Sequence, residues 1–500
     1  MKANHKNTKK PSLTDALIPV FSLLTLLALA VYYFGDDSSS GPNQIALMLC
    51  AGVACLVGLK NGYQRKEIEQ GIVKGISLTL GAILILLAVG SLIGTWLLSG
   101  TVPTMIYFGL QLLSPEYFYV SCCLICALVA LCIGSSWTVA ATIGVALMGV
   151  ATGLDASLPT TAGAIISGAY FGDKLSPLSD TTNLAPAIAG TELFTHIRHM
   201  LWSTIPSFII ALIVFIVLGF DESKTHSAQA MDNLLANLQQ EFHIAWYLLL
   251  PLVVTLLLAV KKMPAFPAIG IGAIAGAICA IAFQQPLILS FAEANTTMLN
   301  ANIMVVWRVM YAGVELNTGN EMLDSLLSGG GMGSMLNTIW LIITAMTFGA
   351  IMERVGLLAK LVESLLSFAR STGSLITTTI FTAFGTNCIT ADQYIAIVMP
   401  GRMFKQEYAK RDLAPENLSR TLEDGGTVTS ALIPWNTCGA YMHSVLLINP
   451  FEYAIYCVFN WLTPMVGIIL AFTGFKIKTL VSSVERHEQN QALKIAEEHS

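Results

Sequence analysis

Long apolar stretches separated by short polar segments run along most of the chain. They lie near residues 15–34, 43–59, 72–98, 117–134, 137–151, 200–220, 244–260, 266–283, 337–352, 374–400, 427–447 and 451–474. A membrane-spanning helix needs roughly 20 apolar residues, so the pattern predicts an all-α polytopic membrane protein with about 11–13 transmembrane helices. The shorter apolar pieces 103–113 and 158–172 cannot cross alone, and we expect re-entrant, interfacial or half-helices there.

The composition agrees with a membrane class and excludes several others. Hydrophobic residues make up 54% of the 500 residues and charged residues only 11%, whereas soluble domains carry roughly a quarter charged residues. The ten cysteines are scattered without a zinc-ligand spacing. The sequence contains no basic patch interleaved with aromatic residues, so it gives no indication of a nucleic-acid partner. The lipid bilayer is therefore the expected environment.

The distribution of Lys and Arg predicts the orientation and the division of the chain. Basic residues precede the first apolar stretch and follow the second, while the loop between them, "GDDSSSGPN", is acidic. Because cytoplasmic loops are enriched in Lys and Arg, we expect a cytoplasmic N-terminus. We predict an N-terminal tail over 1–12, a first transmembrane repeat over 13–220, a polar connecting loop over 221–243, a second repeat over 244–475 and a C-terminal tail over 476–500.

Two regions interrupt the apolar pattern in matching ways. The first contains "GSSWT" and then "GDKLSPLSDTTN", and the second contains "GTNCITAD" and then "LEDGGTVTSALIPWNT". Aligning Gly172 with Gly426 also places Ser176 on Ser430 and Thr182 on Asn436. Interrupted hydrophobic segments in corresponding halves are a sequence indication of a transporter's binding site.

Charged residues in the first interruption need protein or water around them. A charge at the bilayer centre costs about 2.5–3.5 kcal/mol, so Asp173, Lys174 and Asp180 would not face lipid. Pro177 ends a helix, and a broken backbone at membrane depth is tolerated where it lines a cavity. A surface loop over 172–183 is the alternative.

Four residues are candidates for gating or for shaping the breaks: Lys174, Pro177, Glu423 and Asp424. A local Asp173–Lys174 pair is an equal alternative for Lys174. For Glu423 and Asp424 the alternative is an interfacial pair that contacts Arg420.

The interruptions are rich in hard oxygen donors, which suit hard cations. One carboxylate among neutral oxygens favours a monovalent alkali ion. The predicted cation ligands are Asp180, Thr181, Thr182, Asn183, Ser135, Ser136, Asn387, Thr390, Asp392, Thr429 and Asn436. A carboxylate that holds either a cation or a proton would couple the two, and the candidates are Asp180 first, then Asp173 and Asp392. Half-helix N-termini could instead hold an anionic substrate.

Three segments carry a resemblance to a known family. "SGAYFGDKLSPLSDTTNLAP", "TADQYIAIVMPGRMFK" and "LSRTLEDGGTVTSALIPWNTCGAY" closely resemble the signature segments of the NhaC-type Na⁺/H⁺ antiporters, within the ion-transporter superfamily. The resemblance covers about 41–475, and Ala431 stands where a Pro is expected. It implies a multi-pass secondary transporter of the bacterial inner membrane, with two inverted repeats and broken or re-entrant helices. The transported ions would be Na⁺ and H⁺.

The resemblance leaves the second substrate open. A family member type resembles malate–lactate exchangers, so a Na⁺- or H⁺-coupled exchanger of small organic anions or amino acids is the alternative. A passive channel is a third class. We expect no cofactor and no enzyme activity, because no nucleophile–base pair or metal-ligand cluster is visible in the sequence. The sequence leaves open whether the protein forms a homo-oligomer.

Overall fold

The structure is a computed structural model that describes residues 9–222, 228–293, 296–316, 324 and 327–480. These residues form helices and turns, and the only extended pairings among them are isolated bridges, Val314 with Gly329 and Leu413 with Thr479. The predicted all-α polytopic fold is confirmed.

The helices of the first part of the chain are α1 (Leu13–Phe34), α2 (Pro42–Lys60), α3 (Arg65–Leu78), α4 (Leu80–Leu98), α5 (Thr101–Leu112), α6 (Phe118–Ile133), α7 (Ser136–Gly153, with a π-helical centre), α8 (Leu158–Leu175), α9 (Asp180–Ala189) and α10 (Leu193–Glu222). Those of the second part are α11 (Ala228–Glu241), α12 (Leu250–Val260), α13 (Ala265–Phe283), α14 (Gln285–Phe291), α15 (Met298–Ala312), α16 (Leu336–Arg354), α17 (Leu357–Leu366), α18 (Thr372–Thr390), α19 (Gln393–Lys410), α20 (Pro415–Leu422), α21 (Thr437–Leu446), α22 (Pro450–Tyr453) and α23 (Val458–Thr473).

Eight helices in the described part of the chain are long and apolar enough to cross a membrane, and two bent helix pairs raise this number to ten. The bent pairs are Leu235–Glu241 with Trp246–Val260, at 85°, and Pro450–Tyr456 with Val458–Thr473, at 56°. Helices beside the interruptions, such as α9, α20 and α21, are too short for this test. The count of about 11–13 therefore stays a prediction.

The predicted boundaries fall close to the observed ones in the first half. Stretches 117–134 and 137–151 correspond to α6 and α7, and the short pieces 103–113 and 158–172 correspond to α5 and α8. The predicted connecting loop over 221–243 holds the end of α10 and the helix α11, with 223–227 outside the described residues. Residues 1–8 and 481–500 of the two predicted tails also lie outside them. The division into two repeats stays a prediction.

The start of α1 and the end of α2 lie on the same side of the helical layer. Ser12 caps α1 through a reciprocal pair of hydrogen bonds with Asp15. The Asp15 carboxylate also accepts a hydrogen bond from Lys60 Nζ at 2.7 Å. Because α1 and α2 then form a hairpin, Lys9 and Lys10 before α1 and Lys60 at the end of α2 lie on one side of the helical layer, which agrees with the Lys and Arg distribution.

Small residues let α8 pack directly on the backbone of α6. A Cβ atom at Gly168 would lie 2.1 Å from the Cys123 carbonyl oxygen, and one at Gly172 would lie 2.3 Å from that of Ala127. Small residues allow this close approach between helices in membranes. The contact fixes the end of α8, where Asp173 and Lys174 stand.

Candidate cation site

The first interruption lies between α6 and α7. Gly134 ends α6 in the left-handed conformation at φ 76°, and a Cβ atom there would lie 2.7 Å from Leu178. Glycine fits because it adopts positive φ without strain. The Ser135 hydroxyl then caps α7 by accepting a hydrogen bond from the Thr138 amide at 3.2 Å.

The second interruption lies between α8 and α9. Ser176 holds the connecting turn by donating a hydrogen bond to the Leu131 carbonyl at 2.8 Å. Pro177 is exposed in this turn, and the Ser179 hydroxyl caps α9 by accepting from the Thr182 amide. The turn is therefore tied to the end of α6 and is not a free surface loop.

The second half of the chain repeats this local geometry. Ala391 ends α18 in the left-handed conformation at φ 57°, and Asp392 caps α19 by accepting from the Ile395 amide at 2.9 Å. Asn436 caps α21 by accepting from the Cys438 amide at 3.0 Å. Four helices thus begin at polar residues beside a break, and each presents the positive end of its dipole there.

A cavity of about 680 Å³ opens between these breaks. Its wall includes residues from both halves of the chain, and the oxygen-bearing side chains among them are Thr79, Ser135, Ser136, Thr138, Asp173, Ser179, Asp180, Thr181, Asp392, Gln393, Tyr394 and Thr437. All three carboxylates that the sequence nominated for coupling therefore reach one cavity.

Asp173 is the most tightly held of the three carboxylates. It is 9% exposed and accepts hydrogen bonds from the Ser136 amide at 3.1 Å and from the Ser136 hydroxyl at 2.6 Å. Asp392 is 5% exposed, whereas Asp180 is exposed to the cavity at the first residue of α9. A cation in the cavity would therefore meet acceptors of differing burial.

Several predicted ligands lie away from the cavity wall. Thr182 donates to the Lys174 carbonyl at 3.0 Å, and the exposed Asn183 amide donates to the Ser179 carbonyl at 2.7 Å. Thr390 donates to the Thr386 carbonyl at 2.8 Å. Short polar side chains often satisfy nearby backbone carbonyls in this way.

Three other predicted ligands link the breaks of the second half to each other. The Asn387 amide donates to the Thr429 hydroxyl at 3.2 Å and also to the Gly426 carbonyl. The Asn436 amide donates to Asn387 Oδ1 at 3.1 Å. All three side chains are buried. In this conformation Asn387, Thr429 and Asn436 hold the breaks together behind the cavity.

The break-shaping candidates form a pair that the sequence did not indicate. Lys174 is fully buried and pairs with Asp424, not with its neighbour Asp173. The Ser203 hydroxyl of α10 also donates to Asp424, at 3.0 Å. Arg420 Nε lies 3.9 Å from the Asp424 carboxylate, and all these groups are buried rather than interfacial.

Some cavity residues carried no signal in the sequence. Gln393 and Tyr394 follow the Asp392 cap, and Lys262 belongs to an exposed turn after α12. Lys262 is the cationic residue on the cavity wall in the part of the chain that the structure describes. Its position depends on how α12 packs beside the breaks, which a local pattern does not determine.

Comparisons with known proteins place the chain in a family. The model of the Na⁺/H⁺ antiporter family matches residues 168–475. The Na⁺/H⁺ antiporter NhaC of Alkalihalophilus pseudofirmus is 38% identical over 87% of this chain and 90% of its own. The malate-2H⁺/Na⁺-lactate antiporter of Bacillus subtilis is 35% identical over 94% of this chain and 96% of its own. The arginine/ornithine antiporter ArcD of Halobacterium salinarum is 36% identical over 94% of this chain and 93% of its own. This multi-pass membrane protein therefore belongs to the NhaC-type Na⁺/H⁺ antiporter family.

Proposed function

We propose that this protein is a secondary active transporter that exchanges Na⁺ for H⁺ across the cell membrane by alternating access. The observation that carries the proposal is the cavity wall, where Asp173, Asp180 and Asp392 converge from separate elements. Hydroxyl groups lie among these carboxylates, and hard oxygen donors of this kind suit Na⁺. Family membership supports the same exchange.

Binding of a cation in the cavity and binding of a proton there oppose each other. Asp173 is buried beside the Ser136 amide and hydroxyl, so its charge has little solvent screening. Na⁺ in the cavity would neutralise the carboxylate charge, and a proton on the same carboxylate would do so as well. Competition between them, combined with a switch of the open side, produces exchange without a cofactor.

The expected location is the bacterial inner membrane with a cytoplasmic N-terminus. The Asp15–Lys60 pair supports this orientation, because it puts the basic residues around the first two helices on one side.

Exchange of organic ions is the second candidate, and the names of two relatives favour it. The charge of the cavity weighs against an organic anion. Lys174, the cation that the sequence offered for such a substrate, is paired with Asp424 and lies off the cavity wall. Among the described residues, three aspartates and one exposed lysine line that wall instead.

Purified protein in liposomes tests the proposal. A Na⁺ gradient should drive proton movement, detected with an internal pH-sensitive dye, and Asp180→Asn should impair it. Labelled malate, lactate and arginine, offered with a Na⁺ gradient, form the second arm. Uptake of one of these without Na⁺-driven proton movement would replace the proposal by the organic-ion alternative.

A further inference from the structure

A second group of buried charges lies away from the cavity wall, around Glu423. We call it the Glu423 cluster, and its members are Lys174, His199, Ser203, Arg420, Glu423 and Asp424. Each of these side chains is at most 1% exposed. None of them is among the residues that line the cavity. The cluster is therefore a second polar centre inside the transmembrane region.

The local backbone separates the two acidic residues of the cluster. Residues Glu423–Thr427 form one π-helical turn, in which the Val428 amide donates to the Glu423 carbonyl at 3.3 Å. Such turns are rare and often occur at functional sites. Asp424 is used by Lys174 and by the Ser203 hydroxyl. Glu423, one residue earlier, does not share these partners.

Glu423 and its neighbours carry unpartnered polar atoms. Among the described residues, neither carboxylate oxygen of Glu423, no guanidinium nitrogen of Arg420 and neither ring nitrogen of His199 has a hydrogen-bond partner. Arg420 stands one turn before Glu423 on the same helical segment, so both face the same region.

The His196 ring, one turn before His199, bonds the Ser419 hydroxyl at 2.7 Å and sets α10 against α20. Buried groups that need this many partners indicate internal water.

The charge balance of the cluster depends on Glu423. Lys174 and Arg420 supply two positive charges, and Asp424 supplies one negative charge. An ionised Glu423 makes the cluster neutral, and a protonated Glu423 leaves one net positive charge. Asp173, on the cavity wall, is the chain neighbour of Lys174. Charges in a low-dielectric protein interior are only weakly screened. Na⁺ beside Asp173 and a proton on Glu423 therefore disfavour each other.

We propose that Glu423 is a second proton-carrying group of the exchange, separate from the carboxylates that hold the cation. This inference rests on the proposed Na⁺/H⁺ exchange and deepens it. When Na⁺ leaves the cavity to one side of the membrane, the Glu423 carboxylate takes up a proton from the solution on that side, relayed by internal water. When Na⁺ binds from the other side, the protonated Glu423 releases its proton to that second solution, so one positive charge replaces another.

The groups around Glu423 on each neighbouring element are known. The elements packed against its turn are α9, α18, α19, α20 and α23. Of these, α18 and α23 contain no charged residue. Asp180 of α9 faces the cavity, Arg402 and Lys405 of α19 are exposed, and the buried Tyr408 hydroxyl donates to Thr379 at 3.2 Å. Lys174 and His199 come from α8 and α10, and Arg420 from α20. Among the described residues of the elements packed against its turn, Glu423 is thus the buried carboxylate without an ion pair.

The test compares two transport modes of the purified protein in liposomes. Na⁺-driven proton movement needs a proton carrier, whereas exchange of labelled Na⁺ for unlabelled Na⁺ does not. We expect Glu423→Gln to lower Na⁺/H⁺ exchange by roughly tenfold or more while Na⁺/Na⁺ exchange continues. The matched control is Glu416→Gln, because Glu416 is buried on the same segment and already bonds Lys478 at 3.1 Å. It should leave both modes as in the wild type.

Two outcomes with Glu423→Gln overturn the inference. One is unchanged Na⁺/H⁺ exchange, and the other is equal loss of both modes, which would mean a role in cation translocation. Should this variant fail to give a monodisperse protein, Glu423→Asp takes its place, since it keeps the carboxylate in a shifted position. It should shift the pH profile of Na⁺/H⁺ exchange, and an unshifted profile contradicts the inference. Absence of Na⁺/H⁺ exchange in the wild type would instead refute the proposed function.

Discussion

Lys174 pairs with the carboxylate of Asp424, a residue 250 positions further along the chain. Both side chains are buried, so the pair joins the interruption after α8 to the π-helical turn before α21. The ends of two broken helices, one from each half, are therefore held together by one ion pair.

This pair should show strong coupling in a double-mutant cycle. Lys174→Met or Asp424→Leu alone leaves a buried charge without its partner, which costs about 3–5 kcal/mol. The double substitution removes both charges and should cost less than the sum of the two. Unfolding in detergent, followed by tryptophan fluorescence, measures the free energies of unfolding. Additive effects would show that the two residues are energetically independent.

Asp173→Asn should lower the apparent affinity of the transporter for Na⁺. The substitution removes the negative charge while keeping a group that Ser136 can contact. We expect the KM for Na⁺ to rise roughly tenfold or more, which corresponds to about 1.4 kcal/mol of lost cation binding. Initial rates in liposomes at graded Na⁺ concentrations measure it. Asp155→Asn, in the exposed turn between α7 and α8, is the control and should leave the KM unchanged.

Asp392 combines a charge on the cavity wall with a helix cap, and two substitutions separate these roles. Asparagine still caps α19 at the Ile395 amide, whereas alanine does not. Both should weaken Na⁺ binding, but only Asp392→Ala should also lose about 0.5–2 kcal/mol of stability. Labelled Na⁺ binding and thermal unfolding give the two readings. Equal stability of the two variants would contradict a capping role.

Gly168→Ala should separate α8 from α6 and lower both stability and transport. The added Cβ would lie 2.1 Å from the Cys123 carbonyl oxygen, so one helix must shift. The shift would displace Asp173 and Lys174 at the end of α8. Gly270→Ala in α13 is the matched control, because nothing lies within 4 Å of its added Cβ. Thermal unfolding and Na⁺-driven proton movement measure both variants, and equal behaviour would exclude tight α6–α8 packing.

Sequence reasoning located the interruptions but did not resolve which of their side chains face the cavity. Apolar runs broken by Asp173, Pro177 and Asp392 are visible because such residues are costly in lipid. The same pattern did not distinguish Asp180, which reaches the cavity, from Asn183 three residues later, which bonds the Ser179 carbonyl. A short polar side chain can serve either its own backbone or a ligand, and only its surroundings decide.

The sequence by itself determined the membrane class, the positions of the breaks and the set of candidate carboxylates. These follow from local chemistry, since apolar length and buried charge act within a single helix. Tertiary structure alone decided that Asp173, Asp180 and Asp392 share one cavity, and that Lys174 turns away from it to Asp424. Contacts between residues so far apart arise from how helices pack, and that packing depends on shape complementarity along entire helices, such as the glycine contact of α8 with α6.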